Sequence, residues 1–311
     1  MTDLNSIPIK HRIIGFYHTV KNKIMWFGLY QKTYSNFLNV TLNDMRGNYP
    51  IKAIFRSNSI KNLKSKDEVA LYALLTGRFD IKYDDQTDSA IFDISKLGCD
   101  LKKIKLFGIK QNLDAILAFE EGTYENLPLK NTTVIDIGAC TGDSSIYFAI
   151  RGAKRVIAIE PYPKNFQRLK ENIKVNNFST IISPKLAGCS SKSSQITIDP
   201  DYNSSMRSHL QEFKMGVKIP LITLYEILKT ENISDGILKL DCEGCEYDAI
   251  LNSSNELLQK FSHIQIEYHN GYENLKKKLE TCGFDVSNII IDTSKRGHIL
   301  GIRHTFNDFN N

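Results

Sequence analysis

The strongest constraint on this chain's fold begins at residue 133, where short apolar runs alternate with helical stretches. "TVIDIGA" precedes "DSSIYFAIRG", and "RVIAIEP" precedes "PKNFQRLKENIKVNN". "TIISPKLAG", "DGILKLD" and "HIQIEYH" continue the series, separated by "LITLYEILKT" and "YDAILNSSNELLQK". Strands apolar on both faces, alternating with helices, specify a mostly parallel sheet covered on both sides. After the helix "YENLKKKLETCG", the last runs, "FDVSNIIID" and "GHILGIRH", are close enough to pair as an antiparallel hairpin. The fold class expected is therefore α/β, a Rossmann-like sheet, preceded by an α+β N-terminal region. In such sheets ligands bind beyond the carboxyl ends of the strands.

The N-terminal region, residues 1–125, has a different texture from the domain expected over 126–305. Ile13, Phe16, Val20, Ile24, Phe27, Tyr34 and Phe37 recur at helical steps, with Lys10, Arg12, Lys21, Lys23 and Lys32 on the other face. A basic, aromatic helix over 8–45 packs on a core or lies against a membrane or a lipid-linked acceptor. Short strands follow at 51–56, 80–83, 90–94 and 101–107, around a helix at 67–75. No catalytic pattern is visible there.

Composition narrows the class. The chain has 311 residues, 41% hydrophobic and 24% charged, as in globular domains. A net charge of +5 is too mild to favour a nucleic-acid partner. The 6 cysteines are dispersed, which argues against a disulfide framework and for a reducing, cytoplasmic setting. The N-terminus lacks a secretory layout, and no apolar run is long enough to span a membrane.

The informative strand ends are "VIDIGACTGDSS" and "RVIAIEP". Gly138 and Gly142 flank a tight turn before a helix, where backbone can approach a ligand. Glu160, about twenty residues on, suits a ribose diol. A nicotinamide fingerprint needs three glycines, but here Cys140 and Asp143 take two of those positions. Asp136 in the strand and Asp143 at the helix start would repel a pyrophosphate. A nucleoside with a positive centre, S-adenosylmethionine, fits instead.

At these residues the chain resembles the FkbM-type methyltransferases, through "VIDIGACTGDSS", "GAKRVIAIEPYP", "LKLDCEGCEYDAIL" and "IQIEYH" over about residues 120–305. The resemblance implies an S-adenosylmethionine-dependent enzyme, often an O-methyltransferase of sugars or other small molecules. It implies that Asp136, Gly138 and Gly142 hold the methionine end and sugar of the cofactor. Ala139, Cys140 and Asp143 share that turn. Glu160, followed by Pro161, would take the ribose hydroxyls, and Leu186 and Ala187 would lie near the adenine. Asp241 would stand beside the sulfonium and the acceptor. Cys140 stands where the family often has Asn, and Tyr225 where it usually has Asp.

Methyl transfer to a hydroxyl requires in-line placement and a proton acceptor. Asp241 and His269 are equal candidates for that base, with Glu243, Glu246 and Glu267 nearby. Glu246 reads better as a favourable charge in the first turn of a helix. A Mg²⁺ site from Asp241, Glu267 and Asn270 is conceivable but not favoured, and no metal is expected. An RNA methyltransferase is the main rival, although the Asn-Pro-Pro tetrad of N-methylating enzymes is replaced by Asp-Cys-Glu-Gly. A non-catalytic scaffold is a further alternative. The acceptor depends on loops 189–220, where the polar stretch 201–216 could cover the site. Oligomeric state is not legible. The Cys-x-x-Cys of "LKLDCEGCEYD" reads as two small apolar side chains rather than a redox or zinc motif.

Overall fold

Five parallel strands carry the larger unit: β-branched residues fill them because both faces are buried. The computed structural model describes residues 23–79, 81–110, 112–120, 122–202, 210–293 and 295–303. The expected helix residues Lys10 to Lys21, and the centre of the 201–216 loop, lie outside the described residues. Two compact units are present, one ending at Thr123 and the other beginning at Tyr124.

The first unit contains a helix over residues 23–33 (α1) and α2 (Phe37–Arg46). A hairpin follows, β1 (Ile51–Ile54) with β2 (Ile60–Leu63). Next come α3 (Lys66–Tyr72), a π-helical turn Ala73–Arg78, and the antiparallel sheet β3 (Lys82–Asp84), β4 (Ser89–Asp93) and β5 (Lys103–Phe107). The unit ends with α4 (Asp114–Glu120). The expected apolar stripe holds only in part: Tyr34, just past α1, is fully buried, but Ile24 and Phe27 are exposed and α1 buries Leu29 and Tyr30 instead. The break at 34–36 resets the helical phase, so a single stripe cannot run from 8 to 45. Strand β2 was not anticipated, because "IKNL" is too polar to register as a strand.

The second unit alternates as expected. Its elements are β6 (Thr133–Ile137), α5 (Asp143–Ile150), β7 (Arg155–Glu160), α6 (Pro163–Val175) and β8 (Ile182–Leu186). A small three-stranded sheet follows from β9 (Gly188–Cys189), β10 (Ser194–Ile198) and β11 (Val217–Ile222). Then come α7 (Leu224–Thr230), β12 (Gly236–Leu240), α8 (Cys245–Leu251), α9 (Asn255–Leu258) and β13 (Phe261–Tyr268). The chain closes with α10 (Glu273–Thr281), β14 (Asp285–Ile291) and β15 (Gly297–Ile302).

The main sheet has seven strands in the order β14-β15-β13-β12-β6-β7-β8. Strands β6, β7, β8, β12 and β13 run parallel, while β15 pairs antiparallel with both β13 and β14. The order reverses between β6 and β12, so the switch point lies where those two strands end side by side. Segment 189–220, expected to be loop, instead contains β10 and β11. Their apolar faces pack Ile198 and Ile219 against Tyr162.

Candidate active site

Gly138 follows β6 with φ +80°, and a Cβ there would stand 1.7 Å from the carbonyl oxygen of Asp241. Only glycine allows β6 and β12 to end this close together. Gly142 has φ +92°, and a Cβ on it would meet Leu169 Cδ1 at 2.5 Å. Between them Cys140 adopts φ +46°, turning its N–H toward the end of β7.

That N–H donates to Glu160 Oε2 at 3.0 Å, and the N–H of Tyr162 donates to Oε1 at 2.9 Å. Burial pushes the Glu160 carboxyl up to about 7, against the N–H groups of Tyr162 and Cys140, the Asn165 amide and Lys239, all of which favour the ion. A cleft of about 410 Å³ opens here, lined by Gly138, Cys140, Glu160, Pro161, Tyr162, Asn165, Leu210, Asp241, Cys242 and Glu243. Tyr162, Asn165 and Leu210 were missed from sequence. Leu210 arrives from the segment between β10 and β11, and its position carries no local signal.

Asp136, expected at the methionine end of the cofactor, lies beneath the turn. It is fully buried, accepting from Ser144 Oγ at 2.7 Å and Ser145 Oγ at 2.5 Å, with Lys239 Nζ 3.1 Å away. Lys239 also donates to the Gly138 carbonyl at 3.0 Å. The two serine hydroxyls tie Asp136 to the start of α5. Asp143 is likewise buried at the start of α5. Ala139 is buried beneath the turn, and its N–H donates to the Ile159 carbonyl. Leu186 packs with the Tyr162, Ile198 and Ile219 cluster, and Ala187 is buried in the main core. Neither lines the cleft.

After β12 the chain turns through Glu243 at φ +53° and Gly244 at φ +126°. The turn brings Cys242 and Cys245 together as a disulfide, with Cα atoms 5.5 Å apart. This corrects the reading of the cysteines as two separate apolar side chains. A Cys-x-x-Cys spacing cannot reveal it, because the closing geometry depends on two left-handed residues between the sulfurs.

Glu246, fully buried, accepts from the N–H groups of Cys242 at 2.9 Å and Gly244 at 2.8 Å. Its Oε1 also faces His269 Nδ1 at 3.1 Å. Glu246 is thus more than a surface charge in the first turn of α8: it clamps the turn to His269. His269 Nε2 faces Glu243 Oε1 at 3.5 Å, Glu267 Oε1 at 3.6 Å and Asp241 Oδ1 at 3.9 Å. Burial opposes its charge, but the surrounding Glu243, Glu246 and Glu267 carboxylates prevail and push its pKa up to about 12. Burial alone would raise Glu267, yet His269, His298 and Arg296 take it down to about 2. Arg296, from the turn before β15, donates to Glu243 at 2.9 Å and Glu267 at 3.4 Å. Sequence reasoning missed Arg296, which is far from every motif. Asp241 also lines a second pocket of about 170 Å³ with Tyr124, Lys239, Leu240, Gln265, Glu267 and His298. It separates two cavities. Tyr225 is 59% exposed and lines neither.

Among the described residues no helix is long and apolar enough to cross a membrane. A curated relative, an uncharacterized protein from Sulfolobus islandicus rod-shaped virus 1, is 27% identical over 154 residues. That stretch is 50% of this chain and 71% of the viral protein. Among solved structures, a methyltransferase FkbM from Methylobacillus flagellatus is 16% identical with a TM-score of 0.42. That match covers 60% of this chain and 47% of the other, so this chain spans about half of that protein. A tRNA m1G37 methyltransferase from M. jannaschii is 16% identical with a TM-score of 0.34, covering 56% of this chain and 46% of its own. The family model described as the methyltransferase FkbM domain matches residues 136–286, from the Asp136 strand to β14. Residues 136–286 of this chain are a methyltransferase FkbM domain.

Proposed function

We propose that the chain uses S-adenosylmethionine to methylate a hydroxyl of a sugar, glycan or other small molecule. The observation that carries this reading is the position of Asp241. It stands at the switch point with one side on the Glu160 cleft and the other on the pocket of Gln265, Glu267 and His298. The cleft suits the cofactor: Glu160 lines it, and its Oε2, which accepts from Cys140, keeps a lone pair for a ribose hydroxyl while Oε1 is held by Tyr162 and Asn165. Asp241 and Glu243 make a favourable field for a sulfonium. When bound, S-adenosylmethionine supplies an electrophilic methyl carbon.

The protein's own part is positioning and proton removal. An acceptor oxygen held about 3 Å from the methyl carbon needs its proton taken as the new O–C bond forms. Of the two base candidates, His269 is the more enclosed, its side chain only 5% exposed and Nδ1 held by Glu246. Asp241, with its side chain 24% exposed, takes the acceptor's proton. His269 and Arg296 hold the neighbouring carboxylates in place. The β10–β11 sheet, through Leu210, bounds the side of the cleft next to Tyr162.

The test is isothermal titration with S-adenosylmethionine, then a labelled-methyl screen over sugars, glycans, small alcohols and total tRNA. Label on a hydroxylated small molecule is expected. No cofactor binding at millimolar concentration would remove the enzyme reading, and robust label on tRNA would replace the acceptor class.

A further inference from the structure

His269 Nε2 occupies an unusual position. Its side chain is only 5% exposed, and Nε2 makes no hydrogen bond although carboxylate oxygens surround it. A buried ring nitrogen without a hydrogen bond is uncommon and calls for an explanation. The oxygens of Glu243, Glu267 and Asp241, at 3.5, 3.6 and 3.9 Å, make no hydrogen bond to it, and those of Glu267 and Asp241 stand slightly beyond the spacing of two ligands on one ion. Ligand atoms on a shared divalent ion with bonds near 2.1 Å lie about 3.0–3.4 Å apart in octahedral or tetrahedral geometry. One ligand atom from each of Asp241, Glu267 and His269 falls within 4.8 Å of the others. Asp241 and Glu267 are partly exposed, at 24% and 20%, so their side chains can rotate to close the set.

The other nitrogen supplies the second argument. Nδ1 is held by the buried Glu246 carboxylate at 3.1 Å, and two backbone N–H groups fix Glu246 in turn. A carboxylate on the far nitrogen is the usual support of a metal-ligating histidine, orienting the ring and raising its basicity. Arg296 holds Glu243 at 2.9 Å and Glu267 more loosely at 3.4 Å, so Glu267 is the carboxylate freer to turn toward an ion.

We propose that Asp241, Glu267 and His269 form a binding site for a divalent first-row transition ion such as Zn²⁺, Mn²⁺ or Co²⁺. One imidazole and two carboxylates favour these ions over Mg²⁺, which prefers all-oxygen sites. The cysteine sulfurs are joined to each other, so the donors are nitrogen and oxygen. Three protein ligands leave positions open, and the pocket of Tyr124, Gln265 and His298 lies beside two of those ligands. An acceptor hydroxyl on the ion would lose its proton more readily, and Asp241 would then serve as ligand. This last role rests on the proposed methyl transfer; ion binding does not.

The test uses full-length protein with its disulfide intact, dialysed against a chelator and titrated with Co²⁺ by visible absorption and with Zn²⁺ and Mn²⁺ by calorimetry. One equivalent is expected, with d–d bands and no thiolate charge-transfer band. Glu246→Gln keeps all three ligands and should weaken binding about 10–100-fold. Glu267→Gln and His269→Ala should abolish the site, with circular dichroism confirming that each variant folds. No binding at millimolar ion, a thiolate band, or unchanged binding in both folded ligand variants would overturn the proposal. Cofactor titration of the same samples reports separately on the proposed function.

Discussion

The two units bury different kinds of residue. Up to Thr123, the buried polar residues among those described are Thr33, Ser89 and Asn112, all uncharged. The core there is built on aromatic contacts: Tyr34 lies 5.1 Å from Phe55, and Phe55 5.4 Å from Tyr72, ring centre to ring centre. From Tyr124 onward the protein buries Asp136, Asp143, Glu160, Lys239, Glu243 and Glu246. Charged groups are rarely buried unless paired, and clusters of them mark functional sites more often than stable cores. The first unit is organised by packing; the second accepts a desolvation cost at one end of its sheet.

The sharpest test of that contrast is Asp241→Asn, which removes the proposed proton acceptor without changing size. A fall in kcat of about 10²–10⁴-fold is expected, with cofactor affinity largely kept. Activity near wild type would break the assignment of chemistry to this strand end. Next in size is Lys239→Met, which leaves Asp136 buried without its cation. A loss of about 3–5 kcal/mol in denaturant melts is expected. A neutral result would mean that Asp136 is served by Ser144 and Ser145 alone.

The effect of pH sharpens the role of Glu160. Its folded pKa of about 7 lies above its ordinary 4.5, so the folded apoprotein favours the protonated form. This group's contribution to stability therefore falls as pH rises from about 4.5 to 7 and is level above that. In the proposed binding mode the ribose hydroxyls donate to the carboxylate, so binding draws the ion. Cofactor affinity should strengthen as pH rises toward 7, by up to about tenfold per unit, and then flatten. Calorimetric titrations at several pH values, with Glu160→Gln showing no such slope, check this.

The smallest effect belongs to the first unit. Tyr34→Phe removes the hydroxyl that donates to the Val69 carbonyl at 2.8 Å. It should cost about 1 kcal/mol in a chemical melt and leave kcat unchanged. A drop in kcat without a loss of stability would blur the division between the units.

Much of the site was legible because its parts are local. Gly138 and Gly142 announced a tight turn after the first strand, though the neighbour Gly138 makes room for is the Asp241 carbonyl rather than a ligand, and Glu160 ended an unmistakable apolar strand. Other parts were not local. Sequence places Asp136 near the turn but cannot show that Ser144, Ser145 and Lys239 surround it. Cys242 and Cys245 looked separate because joining them depends on the φ angles of Glu243 and Gly244. Leu210 and Arg296 sit in segments whose composition gives no cue.

By itself the sequence determined the alternation of strands and helices and the acids at the strand ends, since periodicity and glycine act over a few residues. Only the tertiary structure decided which acids meet. Pairing Leu240 with Ile266 sets Asp241 beside Glu267, and pairing Glu267 with His298 brings the turn holding Arg296 to the same edge. Strand register is a long-range property, selected by burial across the whole sheet. The cluster around His269 is its consequence.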